Sequence, residues 1–351
     1  MTRRTVNLAL QGGGAHGAFT WGALDRILEE EEIEIEGVTA TSAGAMNAAA
    51  LKHGWVKGGR EGARETIADF WLSLTGLDGA GSDAVMEWLR LFSPAPAITA
   101  RAMQYNPAVV AGSALTRVFS PYQFNPTNYH PLRETVETLL DERTMDSSEG
   151  PKLFINATNV RSGKSRIFEG REVTTDAILA SACLPTLYQA IEIDDPGTGR
   201  REAYWDGGYV GNPALYPLFY RTQTPDIIIV HINPLHREEL PVTASEIESR
   251  INEISFNASL LRELRAIHFV NRMLDAGTIV EGAMKRNHVH SIHDDALMNQ
   301  LGLISKMTPN RALLLQLRDA GYAATDRFLE EFRPSLGERS TVDLGAIVAS
   351  E

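Results

Sequence analysis

The sequence predicts an α/β fold built on a mainly parallel sheet, and three observations carry that expectation. Residues 5 to 10 form a short apolar run. A glycine-rich turn follows, and then Ala15 to Leu28, with Phe19, Leu24 and Leu28 near helical spacing. The pattern then repeats: Ile33 to Thr41 reads as a second strand and the alanine-rich Ser42 to His53 as a second helix. Such a βαβ opening implies parallel strands joined by a right-handed crossover. Downstream, Ile227-Ile228-Ile229-Val230 is the clearest buried strand in the chain.

The other elements follow in order. Residues 59 to 92 look helical, with Phe70, Trp71 and Leu74 in one apolar group and Met86, Trp88, Leu89 and Phe92 in another. Prolines at 94, 96, 107, 121, 126 and 131 then punctuate residues 93 to 131, a natural cap over a site or a plain irregular connection. Lys152 to Val160 reads as a strand, Arg166 to Phe168 as its hairpin partner, Thr174 to Ala182 as a short helix, and Ala203 to Trp205 as a strand ending at Asp206. Thr243-Ala244-Ser245-Glu246 is a capping box. It opens a long helix in which Ile247, Ile251, Ile254, Ala258 and Leu261 repeat at steps of four and three, a seam expected to pack on the core, or else against a partner subunit. Asn287 to Ile292 is a further strand and Asn310 to Phe332 a closing helix.

Of the 351 residues, 33 are Lys or Arg and 45 Asp or Glu, a formal charge of −12. That balance disfavours nucleic acid as a partner, because phosphate binding needs clustered cations. Six of the eight residues Glu29 to Glu36 are glutamates, which reads as a solvated helix end and turn. The lone Cys183 allows no intrachain disulfide and no cysteine-rich zinc site, which suits a reducing, cytoplasmic setting. Met1-Thr2-Arg3-Arg4 and the following Val6, Leu8, Ala9 and Leu10 resemble a signal sequence only briefly, since Gln11 and three glycines stop the apolar run. No stretch reaches the ~18 apolar residues of a membrane span, so a soluble protein is expected.

The strongest local feature is Gly12-Gly13-Gly14-Ala15-His16-Gly17, where a strand hands over to a helix. Glycines there leave backbone amides free to bind an anion. One reading is a dinucleotide fingerprint, with Glu36, 19 positions after Gly17, as the ribose acid. Yet Glu36 would sit near the start of the second strand, and the fingerprint wants the acid at its end. The other reading makes these amides an oxyanion hole and needs a nucleophile at the same sheet edge. Ala40-Thr41-Ser42-Ala43-Gly44 supplies one: a serine at a strand-to-helix turn, flanked by small residues, as in a nucleophile elbow. Asp206, closing a strand before Gly207 and Gly208, is the available proton acceptor, although an Asp-Gly turn is the plainer reading of that tripeptide. A classical α/β-hydrolase order is disfavoured, since only two strands precede Ser42.

Together these elements resemble the patatin-like phospholipase family, which is marked by G-G-G-x-[R/K/H]-G, a G-x-S-x-G elbow and D-G-[G/A] in that order. Ala180-Ser181-Ala182-Cys183-Leu184-Pro185 also looks like the family's segment before the D-G-[G/A] strand. The resemblance covers about residues 6 to 220. It implies a three-layer α/β/α sandwich and a Ser42–Asp206 dyad without a catalytic histidine. The amides of Gly12, Gly13 and Gly14 would form the oxyanion hole, and neither cofactor nor metal would be needed. His16, Gly17, Ala40, Gly44, Gly207 and Gly208 complete the motifs. Ala40 departs from the first elbow glycine, and His16 stands where many members have Arg, so a charge there requires a protonated imidazole. The expected organisation is a catalytic domain over 1-220, further strands and a helical extension of the same domain over 221-335, and a polar tail over 336-351.

The implied activity is hydrolysis of lipid acyl esters, with peripheral membrane contact through apolar residues. Met86, Trp88, Leu89, Phe92, Met103 and Tyr105 would line an acyl groove or a cap, or serve as ordinary core. A storage polyester or small esters are alternative substrates for the same dyad, and a nucleotide-binding regulatory module is the alternative of another class. His288, His290 and His293 beside Asp294 and Asp295 could hold a metal, but a strand end with polar edges is the plainer reading. His231 is the histidine to consider for a triad. Oligomeric state is left open.

Overall fold

A computed structural model describes residues 3–77, 118–280, 282–307 and 309–349. The apolar runs join in one sheet of eight strands: β1 (Arg4–Leu10), β2 (Ile33–Ala40), β3 (Lys152–Asn159), β4 (Ser165–Glu169), β5 (Ile191–Asp195), β6 (Arg200–Asp206), β7 (Asp226–Val230) and β8 (His288–Ile292). The order is β5-β6-β3-β2-β1-β7-β8, with β4 pairing off β3. The pairs β1–β2, β2–β3, β1–β7 and β7–β8 are parallel, and β4, β5 and β6 join by antiparallel pairing.

The period of two along each strand sorts side chains onto two covered faces. Leu8, Leu10, Ile228 and Val230 belong to one buried cluster, with α1 (Ala18–Leu28), α2 (Ala43–Ser73), α3 (Pro131–Leu139) and α4 (Thr175–Ser181). Ala9, Ile227 and Ile229 point into the other, with α5 (Tyr216–Arg221) and α6 (Ala244–Asp275). The short α7 (Leu303–Met307) precedes α8 (Arg311–Phe332), which joins the first cluster, and α9 (Leu344–Val348) joins the second. This is the three-layer α/β/α sandwich with a mixed central sheet.

The helix expected over 42–53 and the one beginning at residue 59 are continuous apart from a break at Gly58 and Gly59, where Gly59 has φ 61°. The second apolar group of that stretch, Met86, Trp88, Leu89 and Phe92, lies outside the described residues, as do Met103, Tyr105 and most of the expected cap over 93–131.

Helix α6 corrects the expectation that its isoleucine seam packs on the core. Its capping box forms, with the Glu246 amide donating to Thr243 Oγ1 and the Thr243 amide to Glu246 Oε2. But Ile251 and Ile254 are 60% and 54% exposed, and Ile247 is exposed as well. The buried face is Phe256, which meets the Tyr209 ring edge-on, and Leu260, Leu264 and Ile267, which join the cluster beneath the sheet. Two apolar stripes share this helix, and the one carrying the larger side chains at steps of four, four and three is buried.

Residues 336–349, expected as a polar tail, dock on the edge strand. Leu336 and Leu344 are buried, and the Thr341 amide donates to the Val289 carbonyl at 3.1 Å. Asp226 anchors the same corner: Oδ1 lies 2.8 Å from His290 Nε2 and accepts from the Gly337 amide at 2.9 Å. Burial works against its charge, but His288, His290 and that amide hold the carboxyl well below the usual range. Two histidines of the 288–293 cluster are thus partners of Asp226, while His293 is half exposed beside Asp295. Among the described residues no three His, Cys, Asp or Glu side chains gather to hold a metal. No helix among them is long and apolar enough to cross a membrane.

Helices α1 and α8 cross with their backbones almost touching. A Cβ at Gly22 would lie 1.8 Å from the Arg318 carbonyl oxygen, and one at Gly321 would lie 1.9 Å from that of Phe19. Gly321→Val is therefore expected to force the helices apart and cost about 3 kcal/mol or more, read as a lower denaturant midpoint with unchanged slope. A midpoint equal to that of the parent would show that the crossing is slack.

Candidate active site

Strands β1 and β2 end in register, with Leu10 opposite Ala40, so the glycine turn and the serine turn emerge side by side at the carboxyl edge of the sheet. Ser42 follows β2 as the residue preceding α2, with φ 56° and ψ −124°. That positive φ, unusual for a residue with a side chain, is the strained turn of a nucleophile elbow. The turn is held from three sides. The Ser42 amide donates to Ser181 Oγ at 2.9 Å, Thr41 Oγ1 donates to the Gly211 carbonyl at 2.8 Å, and the Thr41 amide donates to the Leu10 carbonyl at 3.3 Å. Small residues are required by contact. A Cβ at Gly12 would lie 2.5 Å from Ser42 Cβ, and one at Gly44 would lie 2.4 Å from the Leu10 carbonyl oxygen. A Cβ at Gly17 would meet that of Ala43 at 2.7 Å. Ala40, the departure from the usual elbow glycine, is fully buried in the core beneath.

The sheet also delivers Asp206. On β3, Ile155 pairs with Ala40 and Ala157 with Asp206, so the end of β2 and the acid meet β3 only two positions apart. Asp206 is 1% exposed. Its backbone is fixed by Thr158 Oγ1, 2.7 Å from its carbonyl, and by its own amide donating to the Cys183 carbonyl at 2.8 Å. Its Oδ1 accepts from the Gly208 amide at 2.7 Å, while its Oδ2 is buried with no hydrogen-bond partner of standard geometry. Burial pushes the carboxyl up to about 7, against the opposing pull of the Gly208 amide and the Ser42 hydroxyl. Gly207 admits the chain past Asn156, whose carbonyl oxygen a Cβ would approach to 2.2 Å.

The glycine turn is built more elaborately than its motif implies. The Gly12 amide donates to Asn212 Oδ1 at 2.6 Å. This corrects the expectation that all three glycine amides serve an oxyanion, since the Gly12 donor is already committed. Its carbonyl accepts from Asn233 Nδ2 at 2.7 Å and Asn212 Nδ2 at 3.3 Å. Gly13 and Gly14 line a cavity of about 440 Å³ together with Ser42 and Asp206. The remaining walls are mainly apolar, including Met46, Trp71, Leu184, Leu187 and Phe256. A larger depression of about 960 Å³, around His53, Arg133, Asp141 and Asp194, is polar and contains none of these residues.

His16 is 1% exposed, with Nε2 2.8 Å from Ser305 Oγ. Burial first, then Lys306 and Arg237, hold its pKa well below the ordinary imidazole value, so it is neutral and brings no charge to the site. His231 lines a separate cavity with His293, away from Ser42. Glu36, the acid of the nucleotide reading, accepts from the Gln223 and Thr224 amides at 2.8 to 2.9 Å. Asn212, Asn233 and Lys306 come from distant parts of the chain and carry no local signature by which sequence pattern could single them out.

The chain is thus an α/β sandwich in which a serine turn, a buried acid and a glycine turn meet at one edge of the sheet. Residues 8–219 match the family model described as patatin-like phospholipase, and the chain belongs to that family. No curated protein sequence matches it. Among solved structures, it is similar to VipD from Legionella pneumophila, at 14% identity and a TM-score of 0.41 over 93% of this chain and 66% of that one. It is also similar to the type III effector protein ExoU, at 14% identity and a TM-score of 0.30 over 93% of this chain and 54% of that one. The chain thus spans just under two thirds and about half of those two proteins.

Ser181 links the elbow to the sheet, since its hydroxyl accepts from Ser42 and donates to the Asn156 carbonyl at 2.7 Å. Ser181→Ala would leave two buried groups unpaired. It is expected to cost about 1 to 3 kcal/mol of stability and to slow ester hydrolysis at saturating substrate. A variant with parental stability and rate would show that the strained turn holds itself.

Proposed function

We propose that the protein is a serine acyl hydrolase that cleaves carboxylic ester bonds of lipids through a Ser42–Asp206 dyad. The observation that carries this reading is a single one: the strained elbow serine and a buried carboxylate that its hydroxyl faces line the same apolar cavity. Membership in a family of lipid hydrolases supports the substrate class.

The chemistry runs in two halves. Ser42 Oγ attacks the ester carbonyl carbon while Asp206 Oδ2 accepts the hydroxyl proton. The oxyanion that forms accepts hydrogen bonds from the amides of Gly13 and Gly14 and lies near the N-terminus of α2, which favours negative charge. Collapse expels the alcohol, which leaves with the proton held by Asp206. Water then attacks the acyl-enzyme, giving its proton to Asp206, and the carboxylic acid departs as Ser42 recovers its hydrogen. The apolar walls of the cavity suit an acyl chain. Asp206 needs no intervening imidazole because burial already brings its basicity close to neutrality.

This makes two linked predictions. Asp206 accepts a proton only when ionised, so kcat/KM should fall about tenfold per pH unit below about 7. A limb near 4 would contradict the buried base. Asp206→Asn should lose about 10² to 10⁴ in turnover yet remain folded. A raised carboxyl pKa means the fold prefers the protonated acid, and the stability this gives is lost as pH rises through about 7. The asparagine variant should therefore outlast the parent in denaturant at pH 8. An active Asp206→Asn enzyme would remove the dyad. Assays with phospholipid vesicles, neutral acylglycerols, polyhydroxyalkanoate and short synthetic esters identify the ester, with the lipid forms expected to turn over best.

A further inference from the structure

The oxyanion turn is backed by a cation that its own motif lacks. His16, at the motif position that often carries Arg, is neutral, but Lys306 on α7 lies against the same turn and lines the same cavity. Its carbonyl oxygen packs on Gly14 so tightly that a Cβ there would lie 2.1 Å away. Lys306 is 9% exposed. Among the described residues its ammonium has one hydrogen-bond partner, Asn233 Oδ1 at 2.7 Å, and no carboxylate within 4 Å. The nearby Glu253 is already engaged by Arg237 at 2.6 Å and by Arg250 at 3.3 Å. A buried ammonium without an ion pair is costly, and at the wall of a cavity such a group is a candidate for a functional role.

The contacts beyond Lys306 form a directed chain. The ammonium donates to the carbonyl oxygen of the Asn233 side-chain amide, and the NH₂ of that amide donates to the Gly12 carbonyl at 2.7 Å. That carbonyl belongs to the peptide unit whose N–H is the amide of Gly13. Two planar amides therefore lie in series between the cation and a donor at the cavity wall. Each is polarised in the sense that makes the next N–H a better donor.

We propose that Lys306 is a positioning residue for ester hydrolysis, which through Asn233 orients and polarises the Gly12–Gly13 peptide so that the Gly13 amide binds the developing oxyanion. The inference rests on the acyl-hydrolase reading and assigns the source of its positive charge. Burial, aided by Arg237 and opposed by Glu253, lowers the Lys306 ammonium to about 8, so it is still mostly charged at pH 7. The charge acts on the transition state more than on bound ester, because only the former carries a full negative charge on the carbonyl oxygen.

The test compares kcat and KM on p-nitrophenyl butyrate with the affinities of two alkyl ketones. A trifluoromethyl ketone adds Ser42 and becomes an oxyanion, whereas the matching methyl ketone stays neutral. Lys306→Met is expected to lower kcat by ~10-fold or more with KM little changed, somewhat less than the ~10² to 10³ of deleting a direct donor. It should weaken the trifluoromethyl ketone by the same factor and leave the methyl ketone unaffected. Lys306→Arg should recover most of the loss, and Asn233→Ala, which cuts the chain at its middle, should reproduce it. Unchanged kcat and trifluoromethyl ketone affinity in Lys306→Met would overturn the proposal, as would equal loss of both ketones. A parent enzyme that binds the two ketones equally would overturn the acyl-hydrolase reading itself, and this inference with it.

Discussion

Much of this structure follows from one close approach, that of Gly12 to Ser42. A methyl at Gly12 would sit 2.5 Å from Ser42 Cβ and 2.8 Å from the Thr41 carbonyl oxygen. Two parallel strands can place their outgoing turns this near only if they end in register and the facing residue has no side chain. The Leu10–Ala40 pairing supplies the first condition and the glycine the second. The contact in turn demands Gly44, where α2 starts against the end of β1, and it leaves Ser42 with a positive φ that Ser181, Gly211 and Leu10 must hold.

The electrostatics follow from the same crowding. Water has little access to the space beneath the turns, so Asp206 is dry, its carboxyl is raised toward neutrality, and it suits the role of a base. The same dryness keeps His16 uncharged. It also leaves the Lys306 ammonium as a cation at the cavity wall without an ion pair among the described residues. The formal charge of −12 has no part in this. Glu34 and Glu36 lie toward the start of β2, at the far end from Ser42, and others of the glutamate run engage Arg26 and Arg64 on the surface.

What was legible in the sequence was what short-range chemistry dictates. Gly12 to Gly17 and Ala40 to Gly44 announce themselves because a strand-to-helix turn at close quarters restricts residue type over five or six consecutive positions. Asp206 was legible through Gly207 and Gly208, which the passage beside Asn156 and Phe256 requires. The supports were not legible. Asn212, Asn233 and Lys306 reach the turn from about 200 to 300 positions away, and a lone Asn or Lys has no pattern to distinguish it. Nor did periodicity settle α6, where two apolar stripes compete and only the packing of Phe256, Leu260 and Leu264 decides which is inside. The commitment of the Gly12 amide to Asn212 shows the same limit: a motif states which backbone is free of side chains, not which donors remain free.

The central claim is that crowding and burial activate Ser42, and covalent labelling tests it most directly. The intact protein is treated with an alkyl fluorophosphonate at pH 8, digested, and the modified peptide is mapped by mass spectrometry. The account predicts one adduct, on Ser42, that forms in the parent and fails to form in Asp206→Asn. An unmodified Ser42, an adduct on another residue, or equal labelling of the asparagine variant would contradict it.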